Sequence, residues 1–159
     1  MNSDLIPDLV AALAMHGFRK VPETNGIADV TLLLKRQTWN TNRAVVVVSP
    51  AQPPTEIATY LRELRRRIAF RCGFFPFIWG IGIQVVIVAP GIVQSGIDPS
   101  RYVARVDNQW AIIQSIFLAD HSSQTFRSGR TWGQMLTGKF QDTISRVLSQ
   151  YFQPHDPNP

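Results

Sequence analysis

The chain has 159 residues, 45% of them hydrophobic and only 17% charged, with a formal net charge of +5. One domain with a sizeable core fits that length, and so low a charged fraction leaves Gln, Asn, Ser and Thr to cover the surface. The single cysteine, Cys72, excludes an intrachain disulfide and points to a reducing compartment such as the cytoplasm.

In chain order, Ile6, Leu9, Val10, Leu13 and Ala14 recur at helical spacing. This predicts a first helix from Leu5 to His16, with Asp4 as N-cap and Gly17 closing the C-terminus. Phe18 to Val21 reads as a short strand stopped by Pro22. Asp29 to Arg36 reads as a second, with Val30, Leu32 and Leu34 on one face. Arg43 to Ser49 (RAVVVVS) is a β-branched run of the kind buried on both faces, predicted to pair antiparallel with the strand before it. A Pro-rich linker, 50–54, then leads into a helix from Thr55 to Gly73. Ile57, Leu61, Leu64 and Ile68 line its apolar face.

The stretch CGFFPFIWGIGIQVVIVAPGIV, 72–93, is long enough to cross a bilayer. Pro76, Pro90 and glycines 73, 80, 82 and 91 divide it, however, and Ile83 to Ala89 stands out as a separate β-branched block. VVIVAP at 85–90 echoes VVVVSP at 45–50, so the two blocks are expected as neighbouring core strands, and no transmembrane span is expected. Tyr102 to Val106 and Trp110 to Ala119 read as two further strands around a turn at 107–109. A polar basic loop, 120–130, follows. The last helix runs from a capping box at Thr131 and Gln134 to about Tyr151, with Leu136, Phe140, Ile144, Val147 and Leu148 inward. Residues 1–152 thus form one domain, and the polar, Pro-rich 153–159 reads as a disordered tail.

The fold class is therefore α/β (α+β): a mixed sheet of five to six strands flanked by three helices. The order of the front part (helix, three strands, helix, strand) resembles the restriction-endonuclease-like core over about half the chain. In that family an Asp near the second core strand and a Glu-x-Lys-type pair on the third hold a divalent metal. Asp29 matches the first of these by position. RAVVVVS has neither carboxylate nor lysine, so the metal-binding set is incomplete and no nuclease activity is carried over.

Candidate functional residues fall into four groups. Asp120 and His121, with Ser122 and Ser123, sit at a predicted strand end, where a histidine could act as acid or base. Neighbouring strand residues point to opposite faces, which argues against a dyad. RELRRRIAFR places Arg62, Arg65, Arg66 and Arg67 near the end of the second helix, and Arg127 and Arg130 in the later loop would extend an anionic-surface patch if they fold nearby. FFPFIWG contributes Phe74, Phe75, Phe77 and Trp79, aromatics suited to a core or to an interface anchor. No Cys/His spacing suggests zinc, and neither phosphate-loop, dinucleotide-binding nor nucleophile-elbow motif occurs, so neither cofactor nor metal is expected. The leading expectation is a non-enzymatic α/β interaction module. It would bind a protein partner or an anionic membrane surface through the basic helix and adjacent aromatics. The alternative is a nucleic-acid-binding or nuclease-like protein with a degenerate metal site.

Overall fold

Val45 to Val48 and Val85 to Val88 are uninterrupted apolar runs because both faces of their strands are covered by other elements. The computed structural model describes residues 4–22, 27, 29–38, 41–72, 80–103, 111–130 and 134–155, without the side chains of 41 and 134–138. Among these residues three α-helices, α1 (Leu5–Ala14), α2 (Ile57–Arg71) and α3 (Gln134–Leu148), flank one mixed sheet. The strands are β1 (Arg19–Lys20), β2 (Val30–Gln37), β3 (Thr41–Val48), β4 (Gly80–Val88), β5 (Ala111–Asp120), β6 (Thr125–Arg130) and β7 (Gln153–Pro154). They lie side by side in chain order, β1 to β7. The first three form an antiparallel meander, β3, β4 and β5 are mutually parallel, β6 returns antiparallel to β5, and β7 runs parallel to β6.

A parallel neighbour needs a crossover. Between β3 and β4 that crossover is α2, whose Ile57, Leu61, Leu64 and Ile68 pack with Ala44, Val46 and Val48 of β3 and Ile83, Val85 and Ile87 of β4. On the opposite face Leu5, Leu9 and Leu13 of α1 and Phe140, Ile144 and Leu148 of α3 cover Val45, Val47, Val86 and Phe117. Burial of this apolar surface in two layers is the dominant stabilising contribution. The echoing runs VVVV and VVIV are indeed adjacent strands, with Val46 beside Val85 and Val47 beside Val86. Among the described residues no helix is long and apolar enough to cross a membrane.

Several expectations are corrected. Asp4 makes no side-chain cap hydrogen bond, and α1 ends at Ala14, where Gly17 at φ +81° turns the chain into β1. Val30 does not share a face with Leu32 and Leu34. A bulge between Val30 and Leu32 adds one residue to β2, so Val30 packs on the α2 side while Leu32 and Leu34 face α1 and α3. Tyr102 belongs to a 3₁₀ turn, Pro99–Tyr102, instead of a strand. Asp98 caps this turn by accepting the Ser100 N–H at 3.0 Å, and Pro99 fits its first position. Residues 104–106 and the turn expected at 107–109 lie outside the described residues, as does Thr131 of the expected capping box.

The segment 120–130 is not one loop. Residues 121–124 turn the chain and Thr125–Arg130 is strand β6, which inserts Phe126 into the core while its other residues are mostly polar. Nor are residues 153–155, the described part of the expected tail, free. Gln153–Pro154 pairs with Thr125–Phe126, and the His155 N–H donates to the Phe126 carbonyl at 2.8 Å. That pairing uses an open strand edge which only the folded hairpin supplies. Among the described residues the sheet accordingly has seven strands, against the five to six expected.

Candidate functional site

Parallel strands bring their C-terminal ends to one sheet edge, where α/β folds commonly place ligands. Here that edge holds Ser49 after β3, Ala89 to Gly91 after β4 and Asp120 at the end of β5. Asp29 reaches it too, because β2 is antiparallel to β3 and Val30 pairs with Val48. Asp29 is a turn residue at φ +64° whose carbonyl accepts the Ser49 N–H at 2.8 Å. It lines a small pocket of about 220 Å³ with Ile27, Tyr60, Glu63, Leu64 and Arg67. Tyr60 has a buried hydroxyl without a partner there. Burial first, and then the Asp29 charge, push its pKa up to about 12.

Asp120 is completely buried. Its Oδ1 accepts both the N–H and the hydroxyl of Ser122, and Ser122 Oγ in turn accepts the Gly91 N–H at 3.1 Å. Burial alone would raise the carboxyl's pKa. The Ser122 hydrogen bonds, helped by Gly91 and Ser123, outweigh it and hold the group below the ordinary carboxylate value. Oδ2 nevertheless lacks a hydrogen bond of ordinary length. His121 points the other way, its ring 5.4 Å from that of Phe152 in the α1/α3 layer, and burial lowers its pKa. The two side chains therefore make no dyad: β5 ends at Asp120, and the turn that begins at His121 carries its ring to the other face. Asp29 and Asp120 are three inter-strand spacings apart, roughly 14 Å. Among the described residues no group of three His, Cys, Asp or Glu side chains is placed to share a metal ion.

The second candidate is the outer face of α2. Arg62, Arg66 and Phe70 stand at i, i+4 and i+8, opposite the apolar stripe. All three are exposed, Phe70 to 88%. With Arg65, Ala69 and Ala111 they border a groove of about 740 Å³. Arg67 is drawn to Glu63 at 3.5 Å, an exposed pair that contributes little stability. Phe74, Phe75, Phe77 and Trp79 lie outside the described residues. Arg127 and Arg130 do not join this patch as a pair. Arg130 donates to Asp142 of α3 at 3.0 Å on the opposite sheet face. Arg127, opposite Leu118, is on the α2 face but at strand β6, beside the 3₁₀ turn.

A third group escaped the sequence reading. Arg36 and Arg43 are directly opposed on β2 and β3, and both stack on Phe140 of α3, at 5.2 and 4.9 Å from its ring centroid. His16 and Phe18 meet the same ring edge-on. Beside Arg43 lies Gly82 of β4, and the Gln114 side chain fills the space above that glycine. Buried Gln84, Ser115 and Gln141 extend this polar layer, and each keeps an oxygen without a partner, as does Gln114. The only local signals were Gln84, the one polar residue within GIGIQVVIV, and the strand-end arginines. Their convergence depends on register.

No family model, curated protein or solved structure matches this chain.

Proposed function

We propose that this chain is a non-enzymatic α/β interaction module that docks the outer face of α2 on an anionic membrane surface. The observation that carries the reading is Phe70, an aromatic exposed to 88% between basic turns of the helix. A large apolar side chain flanked by arginines suits the boundary between headgroups and acyl chains. The 10 residues RELRRRIAFR hold five arginines and one glutamate, and the chain has no acidic residue from 64 to 97 to oppose them. The aromatic sequence FFPFIW follows after Cys72 and Gly73.

The test is co-sedimentation with phosphatidylserine-containing vesicles against pure phosphatidylcholine. Each arginine near an anionic surface contributes about 1 kcal/mol, so replacing Arg62, Arg65 and Arg66 by Gln weakens partitioning on the order of 100-fold. Phe70→Ser weakens it by about 10-fold or more and leaves the salt dependence in place. Wild-type protein that ignores anionic vesicles at low salt overturns the reading.

A further inference from the structure

Two arginines held side by side call for a counterion. In an antiparallel pair, directly opposed like charges repel, and Arg36 and Arg43 are such a pair. Phe140 covers part of each guanidinium. Burial, and then the Arg36 charge, make the protonated form of Arg43 harder to hold. Yet among the described residues neither Arg36 nor Arg43 forms an ion pair, while Glu63, Asp98 and Asp142 are engaged by Arg67, Arg101 and Arg130.

Among the described residues the surrounding sequence does not offer a carboxylate either. Residues 30–55, which include β2 and β3, and 64–97, which include β4, contain no Asp or Glu. Asp4 and Asp8 stand at the start of α1, whereas His16 and Gly17 at its other end are the ones beside Arg36 and Phe140. On α3 the nearest carboxylate, Asp142, is occupied by Arg130, and Lys139 adds a further positive charge.

We propose that Arg36, Arg43 and the Phe140 ring form a binding site for a phosphate-bearing ligand, on the face of the sheet opposite α2. A phosphate group suits it better than a carboxylate for two reasons. Its charge of nearly −2 matches two guanidiniums, and its three oxygens can meet two forks at once. The ring holds both forks in place, so less side-chain freedom is lost on binding. Next to Arg43, over Gly82, the Gln114 amide has a buried oxygen without a partner, so the polar wall continues beyond the arginines. This site lies across the sheet from Arg62 and Arg66 and does not depend on the membrane reading.

The phosphate could be that of a discrete small molecule or of a nucleic-acid backbone, and two probes separate them. Isothermal titration of the full chain with inorganic pyrophosphate is run beside titration with a short single-stranded oligonucleotide over a salt series. Binding of both probes indicates a discrete phosphate site. Binding of the oligonucleotide alone, with steep salt dependence, indicates the backbone. In either case Arg36→Gln and Arg43→Gln each weaken binding by 10-fold or more, and the double variant abolishes it. Arg62→Gln/Arg66→Gln leaves it unchanged. The Gln variants retain cooperative melting without ligand, since each removes a repulsive pair, so lost affinity is not lost folding. Wild-type protein that binds neither probe, or a double variant that binds as tightly as wild type, overturns the proposal.

Discussion

Replacing Gly129 by Ala tests how the crossover after β4 is seated. Gly129 lies in β6, beneath the 3₁₀ turn Pro99–Tyr102. A Cβ built there would stand 2.5 Å from the Pro99 carbonyl carbon and from the Ser100 nitrogen, and 2.8 Å from the Pro99 oxygen. Side chains essentially never approach that closely, and all three neighbours are backbone, so no rotamer change relieves the clash. The turn must lift, and with it the buried Pro99 and the partly buried Ile97, Tyr102 and Val103 that pack on the α2-side core. Overpacking of this kind costs about 1–3 kcal/mol. For a chain of this size that lowers Tm by about 2–12 °C.

Gly82→Ala is the matched control. The atoms nearest its Cβ all belong to the Gln114 side-chain amide, a flexible terminus that can swing away. Both substitutions stiffen the unfolded chain equally, so that contribution cancels between them. Thermal melts followed by circular dichroism should therefore rank wild type and Gly82→Ala close together, with Gly129→Ala well below. Hydrogen exchange should also be faster at 97–103 in Gly129→Ala. A Gly129→Ala protein that melts with Gly82→Ala, with unchanged exchange in that segment, would refute the close contact between the turn and β6.

Two further outcomes follow from buried ionisable groups. Asp120 is held below the ordinary carboxylate value, so its contribution is complete above about pH 4 and fades as pH falls through its lowered folded value. Asp120→Asn should lower stability by about 1–2 kcal/mol at pH 7, with the gap to wild type closing in urea melts taken toward pH 2; a gap constant over that range contradicts the assignment. Cys72 is fully buried, and burial lifts its thiol pKa to about 11 despite Lys35 nearby. Its reaction with a thiol-specific disulfide reagent at pH 8 should wait for unfolding and accelerate strongly in denaturant; rapid labelling of the native chain would contradict the burial of Cys72.

What could be read from the chain alone was whatever local spacing encodes. Ile57, Leu61, Leu64 and Ile68 announced the buried stripe of α2. The runs VVVVSP and VVIVAP announced central strands, because a strand covered on both faces has no polar positions to alternate with. The exposed arginines of α2 followed as the remainder of that helix. Strand alternation argued against an Asp120–His121 dyad unless the strand had ended; β5 does end at Asp120, and it is the turn after it that sends His121 to the opposite face.

The tertiary structure decided everything that rests on one strand's alignment with another. β6 was missed because only Phe126 among its larger residues is deeply buried, so TFRSGR looks like a loop until Ser115 to Asp120 is there to pair with it. The bulge at Thr31 reversed the side taken by Val30, a shift no hydropathy pattern contains. Arg36 and Arg43, seven positions apart in sequence, face one another only because β2 and β3 pair in that register, and they meet only when α3 brings Phe140 over them from the far end of the chain. Periodicity is a property of neighbouring residues and is written in the sequence, whereas a pocket is formed by residues that folding alone makes neighbours.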